Sequence, residues 1–171
     1  MLPLCNHPYM MMNSVIEGKT SGWNSKSEDR QPATVRILLV DDFDPCRTLV
    51  SLILQDQPGY HIIGEAADGA EAVHTAEELN PDLVVLDMGL PGLDGIEVAR
   101  QIRNCSPGST ILFLTGNHDP EIARQALYAG ARGYVHKFDV VAELAAAAKA
   151  VLSGQRFASR RFRSLGVSRN S

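Results

Sequence analysis

Five side chains carry chemistry by type and by placement: the paired carboxylates Asp41 and Asp42, a third carboxylate Asp87, the Thr115 hydroxyl and the Lys137 ammonium. Each follows a short apolar run. Val35-Arg36-Ile37-Leu38-Leu39-Val40 leads into the acidic pair, Leu83-Val84-Val85-Leu86 into Asp87, Thr110-Ile111-Leu112-Phe113-Leu114 into Thr115, and Gly133-Tyr134-Val135-His136 into Lys137. Three carboxylates brought together repel: at about 4 Å and an effective dielectric near 20, each pair costs roughly 4 kcal/mol. A divalent cation removes that cost, and a donor set made only of oxygen favours Mg2+ or Mn2+ over zinc. The spare carboxylate can then attack phosphorus to form an acyl phosphate. Lys137 supplies a point charge for phosphoryl oxygens and Thr115 a hydrogen-bond donor.

That chemistry requires the five residues to meet, and the pattern of elements shows how they can. Unalternated runs rich in Val, Ile and Leu read as strands buried on both faces of a parallel sheet. Between them lie helical segments with inward apolar stripes. The first opens at Asp44-Pro45, with Asp44 as cap and Leu49, Leu52 and Ile53 facing in, and Pro58-Gly59 stops it. A strand from His61 to Ala66 and a helix from Ala70 to Leu79 follow, the helix turning Ala72, Val73, Ala76 and Leu79 inward. Ile96 to about Asn104 and Pro120 to Ala129 form the third and fourth helices. Val141 to Leu152 is an Ala-rich final helix with Leu144, Ala148 and Val151 inward. Five strands alternating with five helices through short links define a doubly wound α/β fold with a five-stranded parallel sheet. In such a sheet the carboxyl ends of the strands share one edge, so the five side chains converge there.

Composition sets the frame. The 171 residues, 44% hydrophobic and 21% charged, suffice for one core of ordinary size. No apolar run reaches the length of a membrane span and the first residues lack a secretory layout, so a cytoplasmic protein is expected. Cys5, Cys46 and Cys105 have no paired spacing, which argues against a disulfide framework or a zinc site. The net charge of −4 hides a segregation: the last eighteen residues carry five arginines and no acid, whereas 34 to 153 is strongly acidic. The acidic part disfavours nucleic acid and suits cation binding. Residues 1–33, rich in Met, Asn, Ser and Gly, read as a disordered extension, 34–153 as the folded domain, and 154–171 as a basic, linker-like tail.

The motifs Val40-Asp41-Asp42, Leu86-Asp87-Met88-Gly89-Leu90-Pro91-Gly92-Leu93-Asp94-Gly95, Leu114-Thr115-Gly116 and Gly130-Ala131-Arg132-Gly133-Tyr134-Val135-His136-Lys137 together resemble the receiver domain of bacterial two-component response regulators. Order, spacing and all five residue types match. The resemblance implies a flavodoxin-like receiver fold with Asp87 as phosphoacceptor. It further implies that Asp41, Asp42, Asp87 and the Gly89 backbone carbonyl hold Mg2+ or Mn2+, and that Thr115 and Lys137 contact the phosphoryl group. Tyr134 matches an aromatic switch that turns inward when Thr115 moves, although a tyrosine on a short strand also buries readily as core.

Phe138-Asp139 after the lysine, with the Gly-Ala-Arg-Gly-Tyr run, is similar to the NarL/LuxR-like subfamily, whose members continue into a DNA-binding helix-turn-helix. Too few residues follow Ser153 for that domain, so a stand-alone or truncated receiver is expected, one that catalyses only its own phosphorylation and dephosphorylation. Its partners would be a sensor histidine kinase or phosphotransfer protein, and a downstream protein or second copy bound through the fourth helix, fifth strand and final helix. DNA and membranes are not expected partners. Two other readings stay open: weak DNA binding through the arginine tail, and an aspartyl-phosphate hydrolase. Against the hydrolase, Gly89 stands where such an enzyme places its second acid. His118 and His136 flank the site in sequence and are expected to be solvated, without a catalytic role.

Overall fold

The computed structural model describes residues 34–117 and 119–163. The expected disorder of 1–33, the last residues of the basic tail and His118 lie outside them. The chain runs β1 (Val35–Val40), α1 (Asp44–Gln55), β2 (Tyr60–Ala66), α2 (Gly69–Leu79), β3 (Leu83–Asp87), α3 (Gly95–Cys105), β4 (Thr110–Thr115), α4 (Pro120–Tyr128) and β5 (Gly133–His136). A 3-10 turn over Lys137–Asp139 leads into α5 (Val140–Leu152), followed by β6 (Phe157–Ala158) and a helical turn, α6 (Arg160–Arg163). Apart from the sixth strand and this last turn, the elements are those expected, with ends moved by one or two residues.

All strand pairs are parallel, in the order β2-β1-β3-β4-β5-β6. The chain starts in β1, winds outward to β2, then returns across β1 to β3. The reversal of direction falls between β1 and β3, and it opens a crevice at their carboxyl ends. β1 ends at Val40 with Asp41 following, and β3 ends at Asp87 itself, so the acids flank that crevice.

Side chains alternate between two cores. Leu38, Val40, Val84, Leu86 and Phe113 join Ala72 and Ala76 of α2 and Val98, Ala99 and Ile102 of α3 on one face. Ile37, Leu39, Leu83, Val85, Leu112 and Leu114 meet Val50 and Leu54 of α1 and Leu144, Ala148 and Val151 of α5 on the other. A strand whose every residue is buried needs this two-sided cover. β3 and β5 are buried along their whole length.

Two expectations about α1 are corrected. Its inward stripe is Cys46, Val50, Ile53 and Leu54, while Leu49 and Leu52 are exposed. Both sets have helical spacing, and packing against the sheet and α5 selects the first. Asp44 is not the cap: Phe43 holds that position without a side-chain bond, and Asp44 lies in the first turn, paired with Arg47 at 2.7 Å.

The sheet also has six strands where five were expected. β6 adds to the outer edge of β5 through Phe157 N–H to Arg132 C=O, 3.0 Å, and Ser159 N–H to Tyr134 C=O, 2.9 Å. A two-residue strand carries no period by which to recognise it.

Gly95 fixes how closely α3 starts against the site strand. A Cβ there would lie 2.8 Å from Met88 Cα and 3.0 Å from Asp87 O. Gly95→Ala should therefore destabilise the fold by about 1–3 kcal/mol, as overpacking against backbone does. Gly108→Ala, with open space around it, should be nearly neutral, and urea unfolding of both variants checks the contrast.

Candidate functional site

The strand ends share one local device. Asp41 Oδ1 accepts from Phe43 N–H at 2.9 Å, Asp87 Oδ1 from Gly89 N–H at 3.0 Å, Thr115 Oγ1 from Asn117 N–H at 2.9 Å, and His136 Nδ1 from Phe138 N–H at 3.2 Å. In each, a side chain at or just past a strand end bonds the amide two residues on and turns the chain back over the edge. The second carboxylate oxygen, or the hydroxyl hydrogen, is left to face the crevice.

Asp41, Asp42 and Asp87 gather there, with one ligand oxygen from each within 4.8 Å of the others. Asp41 and Asp87 are buried and Asp42 is exposed. Lys137 reaches across the sheet to both buried acids, its Nζ 2.8 Å from Asp41 Oδ2 and 2.7 Å from Asp87 Oδ2. Burial alone would lower the ammonium's pKa; the bonds from Asp41 and Asp87, with their charges, outweigh it and leave the pKa raised above 10.5.

Asp87, Gly89, Thr115, Asn117 and Lys137 line one cleft of about 550 Å³, bounded on its far side by Ile122 and Gln125 of α4. Thr115 is buried, and its hydroxyl, already accepting from Asn117, keeps its hydrogen to donate. The structure thus brings together all five side chains singled out in the sequence. Gly89 lies beside Asp87, where an added Cβ would still be 3.7 Å from the carboxylate oxygens, so the rim here is open.

Tyr134 is wholly buried, with its ring edge-on to Phe162, centroids 4.6 Å apart. Its hydroxyl faces Thr115 without a well-formed hydrogen bond, and burial pushes its pKa up. The histidine expectation is corrected for His136: it is fully buried, stacked on Phe138. It is the last residue of a strand covered on both faces, which leaves it no route to solvent.

Two contributors escaped the sequence reading. Arg47 donates to the Asp41 carbonyl at 2.6 Å while pairing with Asp44 and Glu65, which braces the loop carrying the acids. An arginine in a helix otherwise looks like part of a solvated face, and only its i+3 spacing from Asp44 hinted at a role. Cys46 sits against Asp41. Burial first, then the Asp41 carboxylate, pushes its thiol up to about 12, so it stays protonated and is no nucleophile.

The donor set suits a hard divalent cation. It comprises three carboxylates on rigid strand ends, two of them shielded from water, without nitrogen or sulfur ligands among the described clusters.

A central parallel sheet with an acid-lined crevice at its switch point, bridged by a lysine, defines a doubly wound α/β domain with a candidate cation site. Within that class the family follows from sequence: residues 37–149 match the response regulator receiver domain, and the chain belongs to that family. It is 35% identical over 125 residues to the response regulator GacA of Pseudomonas viridiflava, covering 73% of this chain and 58% of the relative. A two-component response regulator of the LuxR family from Aurantimonas sp. SI85-9A1 superposes with a TM-score of 0.74 at 40% identity, over 77% of this chain and 94% of that one. The receiver domain of NarL from Mycobacterium tuberculosis gives 0.68 at 31% identity, over 72% and 100%. The chain spans somewhat over half the length of the curated relatives it matches. It is a receiver domain with neighbours of the NarL/LuxR type.

Removing the lysine tests how the acids are held. Lys137→Met keeps the aliphatic stem but leaves two buried carboxylates without a counter-charge, at a cost of about 3 kcal/mol. A lysine whose pKa is raised by folding stabilises fully below its unfolded value of 10.5 and loses that contribution as pH climbs through the higher folded value. The stability gap between wild type and Lys137→Met should hold constant from roughly pH 7 to 10 and close above 10.5, followed by urea unfolding at each pH.

Proposed function

We propose that Asp87 is the phosphoacceptor of a two-component phosphorelay. The observation that carries this reading is the Lys137 ammonium bonded at once to Asp41 and Asp87 across the mouth of the crevice. One Asp87 oxygen attacks the phosphorus of a phosphohistidine on a sensor kinase or phosphotransfer protein. The O–P bond forms as the N–P bond breaks, and the departing imidazole takes a proton. Lys137 follows the charge onto the phosphoryl oxygens and Thr115 donates its hydroxyl hydrogen to one of them. Asp41, Asp42, Asp87 and the Gly89 carbonyl would hold Mg2+ or Mn2+, which would supply positive charge to offset the carboxylates and the phosphoryl oxygens. The Gly89 N–H is already committed to Asp87 Oδ1, which keeps the peptide beside the site. As Thr115 turns to the phosphoryl group, Tyr134 is held inward, and the state of the α4–β5–α5 face reports the event to a downstream protein or second copy. Catalysis is confined to the chain's own aspartate.

With acetyl phosphate and Mg2+, intact-mass measurement should show one added phosphoryl group, 80 Da in round figures (about one HPO3). Asp87→Asn or chelation of the metal should reduce labelling to background. Persistent labelling of Asp87→Asn would reject the assignment.

Gly89 and Asn117 line the cleft beside Asp87 and neither is an acid able to orient water, while the other acid of its lining, Asp94, accepts from Ile96 N–H as the cap of α3. Self-dephosphorylation should therefore be slow, and decay of the phosphorylated protein within seconds, followed by the same mass measurement, would contradict this.

The arginine tail supports DNA binding poorly. Arg160 pairs with Glu143 and Arg161 with Asp139, so two of its five charges are already engaged within the domain.

A further inference from the structure

The segment Phe157–Phe162 docks on the domain in a manner unlike a linker. Its backbone extends the sheet at β5, and Phe162, on a single helical turn, is completely buried. Its polar anchor is Glu143 on α5, a buried carboxylate whose hydrogen-bond partners among the described residues come from this segment: Ser159 Oγ donates to Oε2 at 2.5 Å, and Arg160 donates to Oε1 through Nε at 3.0 Å and its backbone N–H at 3.4 Å. A carboxylate buried on a helix costs free energy unless such bonds are made. Arg161 adds a pair to Asp139 at 3.1 Å.

What the segment touches is the strand that carries the site. Ser159 Oγ accepts from His136 N–H at 3.2 Å, one residue before Lys137. Phe162 packs edge-on against Tyr134, whose hydroxyl faces Thr115 on the wall of the Asp87 cleft. The cleft and the segment are therefore joined by two short routes, Asp87–Lys137–His136–Ser159 and Asp87–Thr115–Tyr134–Phe162.

We infer that the C-terminal segment is a cis-acting latch on β5 and α5, thermodynamically coupled to occupancy of the Asp87 site. This rests on the phosphoacceptor reading above. Tyr134 already sits inward with Phe162 closed over it, so a docked segment and a phosphoryl-loaded cleft favour the same tyrosine position. The coupling is positive and, being a linkage between two binding events, reciprocal: loading tightens docking, and loss of docking weakens loading by the same factor. The segment is a reader of the switch carried on the same chain, and its release uncovers Tyr134, His136 and Glu143.

The test uses the full chain with Mg2+ and beryllofluoride as phosphoryl mimic. Amide hydrogen exchange of residues 157–162 should slow about 5–10-fold on loading, and beryllofluoride affinity should fall by a similar factor in Phe162→Ala, at the lower end of the usual range of allosteric coupling. Ser159→Ala, which removes only the hydroxyl bridge between Glu143 and His136, should shift both readouts in the same direction and guards against misfolding of Phe162→Ala. Unchanged exchange on loading, faster exchange, or equal affinity in wild type and both variants would overturn the latch. Failure of wild type to accept beryllofluoride or a phosphoryl group from acetyl phosphate would instead overturn the phosphoacceptor reading.

Discussion

One ammonium group ties three strands together. Lys137 begins the turn after β5, Asp41 follows β1 and Asp87 ends β3, and the two ion pairs span fifty and ninety-six positions of the chain. Two buried carboxylates at one sheet edge repel unless a cation lies between them. That need fixes the lysine over the crevice, and a divalent ion would answer it in a second way. Stability and chemistry thus meet in the same few atoms.

Around this pair the structure repeats a single solution. Each site strand closes with a side chain that accepts the amide two residues ahead, whether carboxylate, hydroxyl or imidazole. The turn satisfies a backbone donor that the sheet has released and, for the carboxylates and the hydroxyl, leaves the remaining polar atom toward the crevice. Gly95 and Arg47 support the arrangement from outside, the glycine by allowing α3 to start against the Asp87 backbone and the arginine by clamping the Asp41 carbonyl.

Much of this was legible in the residues. Buried parallel strands advertise themselves as apolar runs, and a polar residue at the end of four such runs marks a shared edge, which places Asp41, Asp42, Asp87, Thr115 and Lys137 together from the residues alone. The direction of a helix face was less legible. Leu49, Leu52 and Ile53 fit an inward stripe as well as Cys46, Val50, Ile53 and Leu54 do, and only tertiary packing chooses. A histidine next to a lysine at a strand end reads as a loop residue, whereas His136 closes a strand that is buried along its whole length. The sixth strand is hidden for a different reason: Phe157-Ala158 is too short to show a period, and the segment's anchor, Glu143, looks in sequence like any acid in the first turn of a helix.

The brevity of that last strand has an effect on how molecules meet. Without it, the outer ladder of β5 would stand open as a template onto which a neighbouring chain could add its own strand. β6 takes up those donors and acceptors but, at two residues, presents too little ladder for a further strand to pair with. The open ladder of β5 is thus capped by a strand too short to serve as the next template.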